Sequence, residues 1–299
     1  MGKVAFVYPG QGTQYVGMGK ELYEKNKRAK ELFDKIFNSL DIDLKKVMFE
    51  GPEDLLKRTD YTQPAIVSLS LVLTELLKEK GIEPDYVAGH SVGEFAAFGG
   101  ANYLSIEDAV KLVAARGRIM REVAEKVNGS MAAVLGMNAE KIKEVLKSVD
   151  GVVEAVNFNE PNQTVIAGSK EAVEKACVVL KEAGAKRAIP LAVSGPFHSS
   201  LMKEAGEKLK EEAQKYTFSI GKVKIVANTT AELLESDSEV KDEIYRQSFG
   251  PVKWVDTINK LKSLGVTKIY EIGAGKVLSG LIKKIDKEIE VENIELIEA

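Results

Sequence analysis

Along the chain, short apolar runs alternate with longer segments in which apolar residues recur every three or four positions among Lys and Glu. VAFVY reads as a first strand, residues 17 to 39 as a helix, PAIVSLSLVLTELLKEKG as a helix ending at Gly81, and DYVAG as a second strand. This alternation predicts an α/β sheet with helices on its faces. A short helix follows Ser91, and Ser105, with Asp108 at the capping-box position, opens another.

The pattern changes between 128 and 192. SMAAVLGM reads as a strand, AEKIKEVLKSV as a helix, VVEAVNF and TVIAGS as strands, KEAVEKACVVLKEAG as a helix and KRAIPL as a strand. That β-α-β-β-α-β order is ferredoxin-like. From 194 the α/β pattern resumes with HSSLMKEAGEKLKEEAQ, KVKIVANTT, VKWVDTINKLKSLG, KIYEIG and KVLSGLIKKI as helix, strand, helix, strand and helix. The expected architecture is α/β, with an α/β-hydrolase-like large domain (residues 1–127 and 193–299) built on a mainly parallel sheet. A small ferredoxin-like domain (residues 128–192) is inserted into it. No solenoid-like repeat or low-complexity linker interrupts this plan.

Composition narrows the function classes. The 299 residues are 44% hydrophobic, ample for a core, and 42 Lys and Arg against 45 Asp and Glu give no global reason to expect nucleic acid or an anionic membrane as partner. One cysteine, Cys177, excludes an intramolecular disulfide and fits a reducing compartment, and two histidines argue against a histidine-rich metal site. The longest nearly apolar run, residues 65 to 73, is well short of a membrane span. MGKVAFVYPG reads as a strand rather than a signal peptide, and Phe6 stands where myristoylation wants Ser or Thr. A cytoplasmic protein is expected.

GHSVG, residues 89 to 93, matches the Gly-x-Ser-x-Gly pattern of a nucleophile elbow, a sharp strand-to-helix turn that lifts the serine oxygen clear. YVA before it is strand-like and EFAAF after it helix-like. A serine hydroxyl needs a base, usually histidine. His90 adjoins Ser91, but successive side chains at such a turn point in different directions, so His90 reads as structural. His198, in VSGPFHSSLM, is the remaining candidate and gives a Ser91–His198 dyad. No carboxylate stands out as a third member, and a backbone carbonyl could orient the imidazole instead. The oxyanion of acyl transfer needs two donors, one from the Val92 backbone N–H and one expected from the glycine-rich loop PGQGTQ at 9 to 14. That loop lacks the third glycine of a dinucleotide fingerprint, and EIGAGKVLSG has Val277 where a phosphate loop has Ser or Thr, so both read as tight turns. The elbow alone is shared by transferases and by serine hydrolases such as esterases and patatin-like lipases. A non-catalytic module that kept the fold and only docks a partner protein is a third class.

PGQGTQ, GHSVGE, Arg116 in AARGRIM, and GPFH follow one another in an order that resembles the malonyl-CoA:acyl carrier protein transacylases of type II fatty acid synthesis. The chain is similar, too, to acyltransferase domains of fatty acid and polyketide synthases. The similarity runs essentially end to end, including VNFNEPNQTVIAG and AKRAIPL. It implies a ping-pong reaction through a malonyl ester of Ser91, with His198 as base and the carrier protein's phosphopantetheine thiol as acceptor. It also implies an oxyanion hole from the N–H groups of Gln11 and Val92, and a Gln247 backbone carbonyl that orients His198. Arg116 would hold the malonyl carboxylate, a role that suits a planar guanidinium able to form two parallel hydrogen bonds. Phe197 corresponds to the residue of malonyl-selective members, and Gln63, Asn157 and Asn159 match positions near the family's active site. Lys186 and Arg187 match a basic pair that would meet the acidic carrier protein, whereas Arg118 and Arg121 are expected at the surface. Malonyl-CoA and carrier protein are then the partners, no cofactor or metal is needed, and a monomer is expected.

Overall fold

A computed structural model of the chain describes residues 2–297. Ten strands form two sheets: β1 (Lys3–Tyr8), β2 (Tyr86–Gly89), β3 (Gly129–Leu135), β4 (Val153–Glu160), β5 (Gln163–Ser169), β6 (Arg187–Pro190), β7 (Lys224–Val226), β8 (Leu233–Leu234), β9 (Val266–Ile272) and β10 (Glu290–Ile294). The larger sheet has the order β10-β9-β1-β2-β7-β8 and is parallel except for the short edge strand β8. The smaller is antiparallel with the order β4-β5-β3-β6, the strand arrangement of a ferredoxin-like unit.

Both faces of the large sheet are covered, as parallel sheets require. Side chains of β1 alternate: Phe6 and Tyr8 enter the cluster under helices Thr59–Glu79 and Ile106–Lys126, while Ala5 and Val7 face Trp254, Ile258 and Ile282. A third cluster, including Ile142, Val173 and Leu180, lies between the small sheet and helices Ala139–Leu146 and Lys170–Glu182. The two sheets meet where Val252 is inserted beside β4, its N–H donating to the Val156 carbonyl at 2.8 Å and its carbonyl accepting from Phe158 at 2.9 Å.

Several elements depart from the sequence reading. The helix expected over 17 to 39 is two, Lys20–Lys25 and Lys27–Asn38, because extended Asn26 caps the second by accepting from the Ala29 N–H at 2.9 Å. The helix read from Pro64 to Gly81 begins at Thr59, so Pro64 lies inside it. KVKIVANTT yields only three strand residues, since 227–230 turn away beneath the end of β2. Helices Leu44–Glu50, Glu53–Leu56 and Asp237–Gln247 and strands β8 and β10 have no counterpart in that reading.

Candidate active site

Strands β9, β1, β2 and β7 run parallel, so the loops that leave their carboxyl ends gather at one edge of the sheet, where open α/β sheets bind ligands. The loop after β1 carries Gln11, that after β2 carries Ser91, and that after β7 carries Asn228. At Ser91 the chain turns directly from β2 into helix Gly93–Gly100, with Ser91 in the left-handed region at φ 53°. A β-carbon on Gly89 would stand 1.9 Å from the Gly93 carbonyl carbon, and one on Gly93 2.1 Å from the Tyr8 carbonyl oxygen. The two glycines of GHSVG are therefore what lets strand and helix approach closely enough to expose the serine.

His198 reaches this point from the loop after β6, also at positive φ (67°), with its backbone N–H bonded to the Ser248 carbonyl at 3.0 Å. Its Nε2 is 2.7 Å from Ser91 Oγ. On the other side of the ring, Nδ1 faces two carbonyls, Gln247 at 2.7 Å and Gly250 at 3.2 Å. Carbonyls only accept, so the proton belongs on Nδ1, and Nε2 is left as an acceptor toward the serine. Burial, followed by the Arg116 charge, pushes the imidazole down to about 3. It is neutral at physiological pH and able to take a proton.

Arg116 lies on the buried face of helix Ile106–Lys126, only 1% exposed. Its Nη1 donates to Gln63 Oε1 at 2.7 Å and Nη2 to Gln247 Oε1 at 2.8 Å, with Ser91 Oγ at 3.5 Å from Nη2. Its hydrogen bonds thus run to two carboxamides and a hydroxyl rather than to a carboxylate, and Nε has no partner. The guanidinium lies over the Phe95 ring, 5.0 Å from its centre. Desolvation lowers its pKa to about 9, against the opposing pull of Glu94. A buried guanidinium without an anion beside it costs several kcal/mol, roughly 3 to 5 when a partner is lost, and such a group selects for an anionic ligand.

A cavity of about 340 Å³ opens onto these groups. Gln11, Gln63, His90, Val92, Asn157, Phe197 and His198 line it together with Ser91 and Arg116. None of the described hydrogen bonds uses the backbone N–H of Gln11 or Val92. A thioester carbonyl beside Ser91 Oγ could meet donors from the first turn of the helix and from the loop after β1. The arrangement places a serine hydroxyl, a neutral imidazole, unused backbone N–H groups and a buried cation at one cavity, the kinds of group that acyl transfer from an anionic thioester calls for.

A model of the acyl transferase domain matches residues 5–292. The chain belongs to the acyl transferase family. It is 46% identical to the malonyl CoA-acyl carrier protein transacylase of Bacillus subtilis (strain 168) over 97% of this chain and 92% of that one. An acyl carrier protein S-malonyltransferase from Vibrio cholerae superposes with a TM-score of 0.94 at 38% identity, covering 98% of this chain and 96% of that one. A structure of a type II PKS acyl-carrier protein in complex with its malonyl-transacylase gives 0.94 at 37% identity, with 98% and 96% covered. Among the malonyl transacylases, then, this chain has relatives along its whole length.

The remaining residues expected at an acyl transferase site are distributed unevenly. Gln63 is buried against Arg116 and Met120, and Phe197 and Asn157 form cavity wall. Asn159, expected beside substrate, turns instead to His90, its Oδ1 at 2.7 Å from Nε2, and does not line the cavity. Irregularities in β4 between Ala155 and Asn157 and between Phe158 and Glu160 break strict alternation and separate the two asparagines. Lys186 and Arg187 lie exposed on and beside β6, on the strand that leads to cavity residues 191–193. Arg118 is exposed, and Arg121 pairs with Asp60 at 3.2 Å and Glu125 at 2.9 Å.

Three buried polar residues escaped the sequence reading. Asn228 Oδ1 accepts from the Ser91 N–H at 2.8 Å, and buried Glu94 and Glu243 stand behind it. The final glutamate of GHSVGE was a visible signal for Glu94, while nothing local marks the other two. Lys57, at the cavity wall, was missed as well. Among the described residues, no group of three or more His, Cys, Asp or Glu side chains is arranged to hold a metal ion, and no helix is long and apolar enough to cross a membrane.

Proposed function

We propose that the chain transfers the malonyl group from malonyl-CoA to the phosphopantetheine thiol of an acyl carrier protein, supplying malonyl carrier protein for fatty acid synthesis. The observation that carries the reading is a buried Arg116, bonded to carboxamides rather than to a carboxylate, beside a serine already hydrogen-bonded to a neutral histidine. Ser91 Oγ attacks the thioester carbonyl while His198 Nε2 takes its proton. The carbonyl oxygen becomes an oxyanion held by the N–H groups of Gln11 and Val92. As the tetrahedral intermediate collapses, the carbon–sulfur bond breaks and His198 returns the proton to the CoA sulfur. The carrier's thiol then repeats the sequence in reverse, its proton passing through His198 to Ser91.

Arg116 binds the malonyl carboxylate, so an acyl group without that charge leaves the guanidinium unmatched. Gln63 fixes one edge of it, the Gln247 carbonyl fixes the His198 tautomer, and Phe197 limits the room beside the α-carbon. Lys186 and Arg187 face the acidic carrier protein. CoA thioester and phosphopantetheine are substrates, and these steps call on no other cofactor. We assign the catalytic groups to a large unit, residues 1–127 and 193–299, with 128–192 as an inserted one, in a cytoplasmic monomer.

Initial rates with malonyl-CoA and holo carrier protein varied against each other test the reading. Parallel double-reciprocal lines and a malonylated carrier are expected; intersecting lines, or malonate released to water in place of carrier acylation, would overturn it.

A further inference from the structure

Behind Ser91, on the side away from the cavity, lies a buried polar cluster that the transfer steps leave unused. Glu94, fully buried, accepts from the Asn228 N–H at 2.9 Å and from Gln247 Nε2 at 2.8 Å. Asn228 uses its own side chain to hold the Ser91 N–H at 2.8 Å and the Gly89 carbonyl at 2.5 Å. Gln247 holds the Ser91 carbonyl at 2.8 Å, Arg116 Nη2 at 2.8 Å and, through its backbone carbonyl, His198 Nδ1 at 2.7 Å. The two residues bonded to Glu94 are thus the ones that tether nucleophile, base and guanidinium.

A second buried carboxyl, Glu243, stands beside Glu94, the consecutive N–H groups of Asn228 and Thr229 holding one carboxyl each. Thr229 holds Glu243 through its N–H at 2.9 Å and through its hydroxyl, and Arg246 is the other charged group acting on it. Two neighbouring buried carboxyls do not both ionise readily. Burial and Glu243 hold the Glu94 carboxyl well above the usual range. Glu94 in turn is the charge that favours the cationic form of Arg116.

We propose that Glu94 and Glu243 are positioning residues that share one proton, and that their single negative charge, relayed through the Gln247 carboxamide, keeps Arg116 charged and aimed at the substrate carboxylate. A glutamate bonded directly to Arg116 would occupy the N–H groups that the substrate needs. An interposed carboxamide supplies the counter-charge without competing for them. The selectivity part of this proposal rests on the malonyl-transfer reading; the proton-sharing part does not.

Infrared spectra at neutral pH of the intact chain and of Glu243→Gln test the shared proton. A protonated-carboxyl C=O stretch present in the parent and lost in the variant is expected. No such band in the parent, or one that persists in the variant, overturns proton sharing whether or not the chain transfers malonyl. Rapid-quench acylation of Ser91 by malonyl-CoA and by acetyl-CoA tests the positioning role in Glu94→Gln, Glu243→Gln and the double variant. Each single variant keeps one carboxyl and is expected to slow malonylation about threefold, and the double about a hundredfold, beyond the product of the singles. The double variant's loss on malonyl-CoA is expected to exceed its loss on acetyl-CoA about tenfold. Additive losses, or equal losses on both substrates in a double variant that melts with the parent, overturn the role. If the double variant does not fold, the infrared comparison and Glu94→Gln decide: its loss of about threefold is expected on malonyl-CoA and not on acetyl-CoA, and an equal loss on both counts against the role.

Discussion

His90 and His198 both line the cavity around Ser91, yet their surroundings assign them different work. His90 directly precedes the serine, and its Nε2 is occupied by Asn159 at 2.7 Å, with the Trp254 ring packed edge-on 5.5 Å away. His198 comes from 107 positions along the chain, and its Nε2 is free to meet Ser91 because two backbone carbonyls hold Nδ1. Nearness in sequence does not make a base. What does is the atom facing each ring nitrogen, and a long-range loop closure sets it.

The largest effect should separate the two rings. His198→Ala is expected to slow single-turnover acylation of Ser91 about a thousandfold or more, and His90→Ala less than about tenfold, by rapid quench. Equal losses would erase the distinction. Next comes Arg116→Ala, for which a mixture of malonyl-CoA and acetyl-CoA should show the malonyl preference falling about a hundredfold, read as the masses of the acylated chain. An unchanged preference would remove the guanidinium from substrate binding.

The acid side of the pH profile sharpens the comparison further. With His198 held at about 3, acylation should show no loss through the ordinary histidine value of 6.5 as pH falls. Removing the Arg116 charge removes one cause of that depression, so the acid limb of Arg116→Ala should move upward; a limb at the same pH would contradict the electrostatic account. The same burial has a stability consequence. Between about 3 and 6.5 the unfolded chain binds a proton at this histidine that the folded chain does not, so stability is complete above that window and lost as pH falls through it. Lowering pH from about 7 to 5 should remove about 2 kcal/mol through this histidine, read in urea titrations as the parent's loss minus that of His198→Ala. The smallest expected effect is that of Asn228→Ala, which releases the Ser91 N–H and the Gly89 carbonyl and should lower stability by about 1 to 2 kcal/mol.

The legible parts of the site were those specified locally. Strand, Gly-x-Ser-x-Gly and helix occupy thirteen consecutive residues, 86 to 98, and the steric demand on Gly89 arises within that segment, whereas that on Gly93 comes from the Tyr8 carbonyl of β1. Helical period likewise put Arg116 on an amphipathic helix, although only the family resemblance singled it out from Arg118 and Arg121. The layers and the inserted β-α-β-β-α-β unit followed from the alternation of short and long apolar patterns. Asn228 and Glu243 were not legible, because their roles exist only where β7 and helix Asp237–Gln247 pack behind β2. That helix itself was missed, its sequence DSEVKDEIYRQ burying only four residues. Asn159, named on the family resemblance, lies against His90 rather than on the cavity wall, a placement set by the two irregularities of β4 that no strand pattern in the sequence shows.

The central claim is that Ser91 carries the acyl group between two thiols and keeps it from water in the interval. The most direct measurement is the mass of the peptide containing residues 86–98 after mixing the chain with malonyl-CoA, then after adding holo carrier protein. A malonyl ester on Ser91 that outlasts the mixing and moves onto the carrier is the expected result. No ester on that peptide, or one lost to water equally fast without the carrier, would contradict it.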